Sequence, residues 1–170
     1  YQPATYFSDG AFLTIDQNGL LQIINANGSK RKEVTLTGGP FKTAPIVGSD
    51  NMVYLTGEAL RVYALDPTGA TRWQFAVSGS TAKFLGGPAL ASDGTIYAVN
   101  SARTIYALDG ATGVQRWKLT VGTAGSVIAA PIVDPNGTIY FITDKGYVYA
   151  VNPNGTVKWS YNTAVALSLS

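Results

Sequence analysis

The stretch from Pro88 to Trp117 reads PALASDGTIYAVNSARTIYALDGATGVQRW, and the order of events along it decides the fold. Thr95-Ile96-Tyr97-Ala98 and Ile105-Tyr106-Ala107-Leu108 each place side chains on alternate sides, the period of two that a pleated strand imposes. In the second run Ile105 and Ala107 face one way and Tyr106 and Leu108 the other. Asp93-Gly94 before the first run and Thr112-Gly113 after the second are turn chemistry, because Gly takes positive φ at little steric cost and Asp bonds nearby backbone donors. Ala89-Leu90 before the first turn and Arg116-Trp117 after the second complete four short strands.

The same events recur on both sides. Pro45 to Trp73 and Pro131 to Trp159 repeat them in order, with turns at Asp50-Asn51 and Asn136-Gly137. Tyr54, Tyr97 and Tyr140 hold matching positions spaced by 43 residues, and Leu13, 41 residues before Tyr54, takes that place in a weaker first copy. In that copy Asp9-Gly10 and Asn27-Gly28 supply the turns, and Lys32 occupies the slot of Trp73, Trp117 and Trp159. Four antiparallel strands every 40–50 residues is the signature of a propeller blade. The expectation is an all-β chain of four four-stranded antiparallel blades, at about 1–37, 38–79, 80–122 and 123–163, with 164–170 a tail or the start of a further strand.

At these residues the chain resembles the pyrroloquinoline-quinone-type β-propeller repeat, whose motif sets an Ala-x-Asp before a Thr-Gly turn and a Trp. Here it stands as Ala64-Leu65-Asp66 to Thr68-Gly69 and Trp73, Ala107-Leu108-Asp109 to Thr112-Gly113 and Trp117, and Ala150-Val151-Asn152 to Asn154-Gly155 and Trp159. Asp66, Asp109 and Asn152 read as holders of the hairpin by Asx-type bonds. The tryptophans read as covers for the gap between blades, with Arg72, Arg116 and Lys158 on the solvated side. Such repeats close in rings of about seven or eight blades, so the resemblance implies half of an eight-bladed ring, completed by dimerisation or by missing sequence. An open half-ring exposes two apolar blade faces, and a homodimer closing the ring on a twofold axis is one expected outcome. The resemblance also implies two functions. One is a non-catalytic scaffold for protein or glycan, as in the family's outer-membrane assembly lipoprotein. The other is part of a quinone- and calcium-dependent alcohol or sugar dehydrogenase.

Composition narrows the choice. The chain has 170 residues with no Cys and no His, which excludes thiolate nucleophiles, imidazole acid–base chemistry and zinc sites built on those ligands. Its 12 cations against 10 acids give a net charge of +2, too weak and scattered for a counterion-releasing nucleic-acid groove. No run approaches the ~18 apolar residues of a membrane helix. The low charge, 13%, fits an exported protein of the periplasm, cell surface or medium. A chain opening at Tyr1 rather than Met is expected to be processed or excised from a longer one. The sequons at Asn27, Asn136 and Asn154 coincide with hairpin turns, so turn chemistry accounts for them.

Candidate binding residues follow from the loops. One end of every blade carries tight hairpins, whereas the other carries the links between second and third strands and the longer blade crossings. Recognition residues ride on such loops over a rigid scaffold. The large or charged side chains there are Phe41, Lys42, Arg61, Lys83, Phe84, Arg103, Lys145 and Tyr147. No residue is assigned a catalytic, cofactor or metal role.

Overall fold

A computed structural model describes residues 4–122 and 124–165 of the chain. The described residues contain no helix, and so none long and apolar enough to cross a membrane. They form four sheets of four strands, each an antiparallel meander in chain order. Blade 1 holds β1 (Thr5–Tyr6), β2 (Phe12–Ile15), β3 (Leu20–Ile24) and β4 (Lys30–Thr35). Blade 2 holds β5 (Ile46–Val47), β6 (Val53–Gly57), β7 (Arg61–Leu65) and β8 (Thr71–Ala76). Blade 3 holds β9 (Ala89–Leu90), β10 (Thr95–Val99), β11 (Thr104–Asp109) and β12 (Gln115–Thr120). Blade 4 holds β13 (Ile132–Val133), β14 (Ile139–Ile142), β15 (Tyr147–Val151) and β16 (Val157–Asn162). Of the tail, 164–165 lie beyond β16 in no strand, and 166–170 lie outside the described residues.

The strand period of two builds the core. In blade 2, Val53, Leu55, Tyr63 and Leu65 pack with Leu13, Ile15, Leu21 and Ile23 of blade 1. The alternate residues Tyr54, Val62, Ala64 and Trp73 pack with Ile96, Ala98, Tyr106 and Leu108 of blade 3. Blade 3 then turns Tyr97, Val99, Ile105 and Ala107 toward Ile139, Phe141, Tyr149 and Val151 of blade 4. Each middle blade is thus apolar on both faces, which is why β6 and β10 are buried at every residue. All four blades share a register shift between third and fourth strands, at Ile23/Ile24, Ala64/Leu65, Ala107/Leu108 and Ala150/Val151. This bulge adds local twist and bends the outer strand just after the last turn.

Candidate functional site

The hairpin end of the blades is built from carboxylates spent on backbone. Asp66 accepts from the Thr68 and Ala70 amides (2.8 and 3.1 Å) and its second oxygen meets Arg72 Nε at 3.2 Å. Asp109 repeats this with the Ala111 and Thr112 amides and with Arg116 Nη2 at 2.9 Å. The Arg116 bond is the main reason its carboxyl is held down to about 2. Asn152 keeps the place without charge and donates to Thr156 Oγ1 at 3.0 Å. Asp9, Asp93 and Asp134 cap the turns between first and second strands in the same way.

The tryptophans bind successive blades. A Cβ on Gly113 would lie 2.6 Å from the Trp73 ring, and one on Gly155 would lie 2.9 Å from Trp117. Trp73 Nε1 donates to Gly110 O and Trp117 Nε1 to Pro153 O, each at 2.8 Å. Each indole therefore lies flat on the glycine of the next blade's last turn and hydrogen-bonds that turn's backbone. In blade 1 the Lys32 stem lies over Gly69 instead, 2.8 Å from that glycine's would-be Cβ. Trp159, in the last blade, is 43% exposed.

The loop end differs from the sequence expectation. Phe41 and Phe84, expected on the binding face, are 0% and 1% exposed and lie in the core clusters between blades. Phe41 packs on Tyr63 (ring centroids 6.2 Å apart), and Phe84 meets Tyr106 edge-on at 6.0 Å. Each plugs a seam beneath its crossing loop, a place that the buried Val127 takes at the seam between blades 3 and 4. Arg61 runs its stem against Gly38, whose Cβ position it occupies. Arg103, at a φ of 62°, donates from Nε to Val121 O at 3.1 Å and from Nη1 to Gly125 O. Both arginines thereby tie a blade to the loop beside it. Lys145 is exposed with its stem by Gly125, and Tyr147 is half-buried beside Tyr149.

Lys42 and Lys83 do come together. Both reach Glu58, in the β6–β7 link, with Nζ–Oε distances of 2.8 and 3.1 Å. The Glu58 side chain is buried, whereas the lysine side chains are 57% and 59% exposed. The Lys42 ammonium, reinforced by Lys83, holds the Glu58 carboxyl below its ordinary value against the opposing effect of burial. Beside this trio runs a shallow groove lined by Gly39, Pro40, Ala59, Leu60, Thr81 and Ala82. Glu58 escapes a reading based on repeats because its slot varies: Gln17, Ser101 and Asp144 stand there in the other blades. The available signal is the pair of lysines flanking the equivalent Phe41 and Phe84, with Glu58 the one glutamate between them in sequence.

A family model described as the outer membrane protein assembly factor BamB matches residues 58–169. No curated protein matches the sequence. Among solved structures, BamB from Moraxella catarrhalis superposes with a TM-score of 0.77 at 21% identity, over 94% of this chain and 52% of that one. The chain thus spans about half the length of that relative. With 1150 solved chains matching, such likeness carries architecture and not activity.

Proposed function

The chain belongs to the family of the outer membrane protein assembly factor BamB, and on that premise we propose that it is a non-catalytic propeller scaffold. It offers the loop end of its blades to a protein partner in an exported compartment and needs no cofactor. The observation that carries this reading is the Lys42–Glu58–Lys83 trio. A buried carboxylate fixes two exposed ammonium groups on neighbouring crossings, so less side-chain entropy is lost when a partner docks on them. The apolar groove beside them suits an extended segment carrying acidic side chains.

The chemistry of the acids supports the same reading. A calcium-bound quinone needs carboxylates free to coordinate the metal. Here Asp66 and Asp109 are bound to turn amides and arginines, and Glu58 to two lysines. This donor set does not fit that group.

Two measurements test the proposal. A photo-crosslinking residue at Thr81, compared with one at Asn27 on the hairpin end, is expected to give a discrete protein adduct in cells only from Thr81, and the adduct is lost in Lys42→Ala/Lys83→Ala. Adducts from both ends alike would remove the loop end from consideration. Supplying pyrroloquinoline quinone and calcium with alcohols or sugars is expected to give no dye reduction. Turnover would overturn the scaffold reading.

A further inference from the structure

Four Asn-Gly pairs lie on turns, with exposed asparagines at Asn18, Asn27, Asn136 and Asn154. In each the glycine amide donates back across the turn, to Asp16 O at 3.1 Å and to Asn25 O, Asp134 O and Asn152 O at 2.9 Å. The asparagine side chains, however, are held in two different ways, and the residue two places earlier decides which.

Where that residue is aspartate, its carboxylate captures the amide that follows the glycine. Leu20 N donates to Asp16 Oδ1 at 2.8 Å and Thr138 N to Asp134 Oδ1 at 2.9 Å. Among the described residues no donor reaches Oδ1 of Asn18 or Asn136. Where the earlier residue is asparagine, the same amide turns to the second asparagine instead. Asn27 Oδ1 accepts from Ser29 N at 3.0 Å and from Ser29 Oγ at 2.7 Å. Asn154 Oδ1 accepts from Thr156 N at 3.1 Å and from Thr156 Oγ1 at 2.7 Å. Asn25 and Asn152 donate from Nδ2 to those hydroxyls at 2.9 and 3.0 Å, so each hydroxyl proton is aimed at Oδ1. The last turns of blades 1 and 4 thus share Asn-x-Asn-Gly-Ser/Thr, whereas Thr68 and Thr112 replace the second asparagine in blades 2 and 3.

Two converging donors on a carbonyl oxygen stabilise the negative charge it gathers when its carbon is attacked. The nucleophile is built in, since the next nitrogen belongs to a glycine with no side chain to hinder approach. Freeing that nitrogen breaks an equivalent bond at all four pairs, so the oxyanion donors make the difference.

We propose that Asn27 and Asn154 are sites of self-modification in the folded chain, and that Asn18 and Asn136 are not. The Gly28 or Gly155 nitrogen gives its proton to water and bonds to the asparagine Cγ. The Cγ–Nδ2 bond breaks with release of ammonia, leaving a five-membered succinimide. Water then opens the ring at either carbonyl, giving aspartate or isoaspartate. Each event adds one negative charge, so the two together cancel the net charge of +2, which favours association. Both turns lie at the hairpin end, and the inference stands apart from the loop-end reading.

The test is peptide mass spectrometry of the 170-residue chain aged in mildly alkaline buffer, following the exchange of NH2 for OH and the separate elution of isoaspartyl peptides. In the folded chain Asn27 and Asn154 are expected to convert about tenfold faster than Asn18 and Asn136, and in guanidinium all four should come within about threefold, because the donors are lost. Ser29→Ala, with its fold checked by circular dichroism, should slow Asn27 about tenfold in the folded chain only and leave Asn154 unchanged. Asn25→Asp should protect Asn27 as well, by capturing the Ser29 amide. Equal rates at the four sites of the folded chain, or no conversion at any of them, would overturn the proposal. So would a folded Ser29→Ala chain that converts Asn27 at the original rate.

Discussion

The seam between blades 2 and 3 and the seam between blades 1 and 2 solve one problem with different side chains. At the first, Trp73 covers Gly113 and its indole donates to Gly110 O, which also receives Tyr54 Oη at 3.2 Å. At the second, Lys32 lays a hydrocarbon stem over Gly69 and stays exposed, as long cationic side chains do when they cover apolar surface and keep the head in water. The aromatic area missing from the outer strand is supplied further in, where Phe7 and Phe41 join that cluster and Tyr63 Oη donates to Thr37 O at 2.7 Å. The repeat therefore demands that the turn glycine be covered, and the ring is only one way to do it.

The largest effect should separate these two seams. Trp73→Ala removes a side chain 9% exposed and its hydrogen bond, and is expected to cost about 3–5 kcal/mol in urea unfolding, in the range for a buried aromatic. Lys32→Ala loses only part of an exposed stem and should stay within about 1 kcal/mol. Equal losses would mean that the indole is not what holds blades 2 and 3 together.

The glycines sharpen the same contrast. Gly113 and Gly28 hold equivalent turn positions with φ of +73° and +84°, and an alanine at either carries a left-handed strain of about 1–2 kcal/mol. A Cβ at Gly28 meets nothing within 4 Å, whereas one at Gly113 falls 2.6 Å from the Trp73 ring. Gly113→Ala should therefore be worse than Gly28→Ala by about 1–3 kcal/mol, the usual cost of overpacking. The difference should vanish in a Trp73→Ala background, which a double-mutant cycle would measure.

How far the sequence could be read follows from what repeats and what does not. The four meanders and the turn positions were legible because Asp-Gly, Asn-Gly and the alternating strands recur at a fixed period. Phe41 and Phe84 also recur, 43 residues apart. That spacing marks them as core, but their place in variable loops gave them the look of binding residues. Arg61 and Arg103 carry the same ambiguity, since a cation in a loop can as well pack on or bond the neighbouring backbone as await a ligand. The shared bulge left no mark on composition, because it is a matter of register and not of residue type. Glu58 was hidden by being unique to one blade.

The smallest effect compares Asp109 of blade 3 with Asn152 of blade 4, which hold the same slot with and without charge. The Asp109 carboxyl is held at about 2 in the folded chain, chiefly by its bond from Arg116, against an ordinary value of 3.8. A carboxyl depressed by folding contributes its stability above the unfolded value and loses it as pH falls through the folded one. Asp109→Asn should therefore lower Tm at pH 7, and the gap to the unaltered chain should narrow from about pH 4 down to about pH 2. The other carboxylates titrate in both proteins and cancel from the difference. Asn152→Ala, which removes the uncharged counterpart and its bond to Thr156, should give a Tm gap that stays flat over the same range. If the Asp109→Asn gap is flat as well, the Arg116 pairing contributes nothing to folding, and the two blades hold their turns by hydrogen bonds alone.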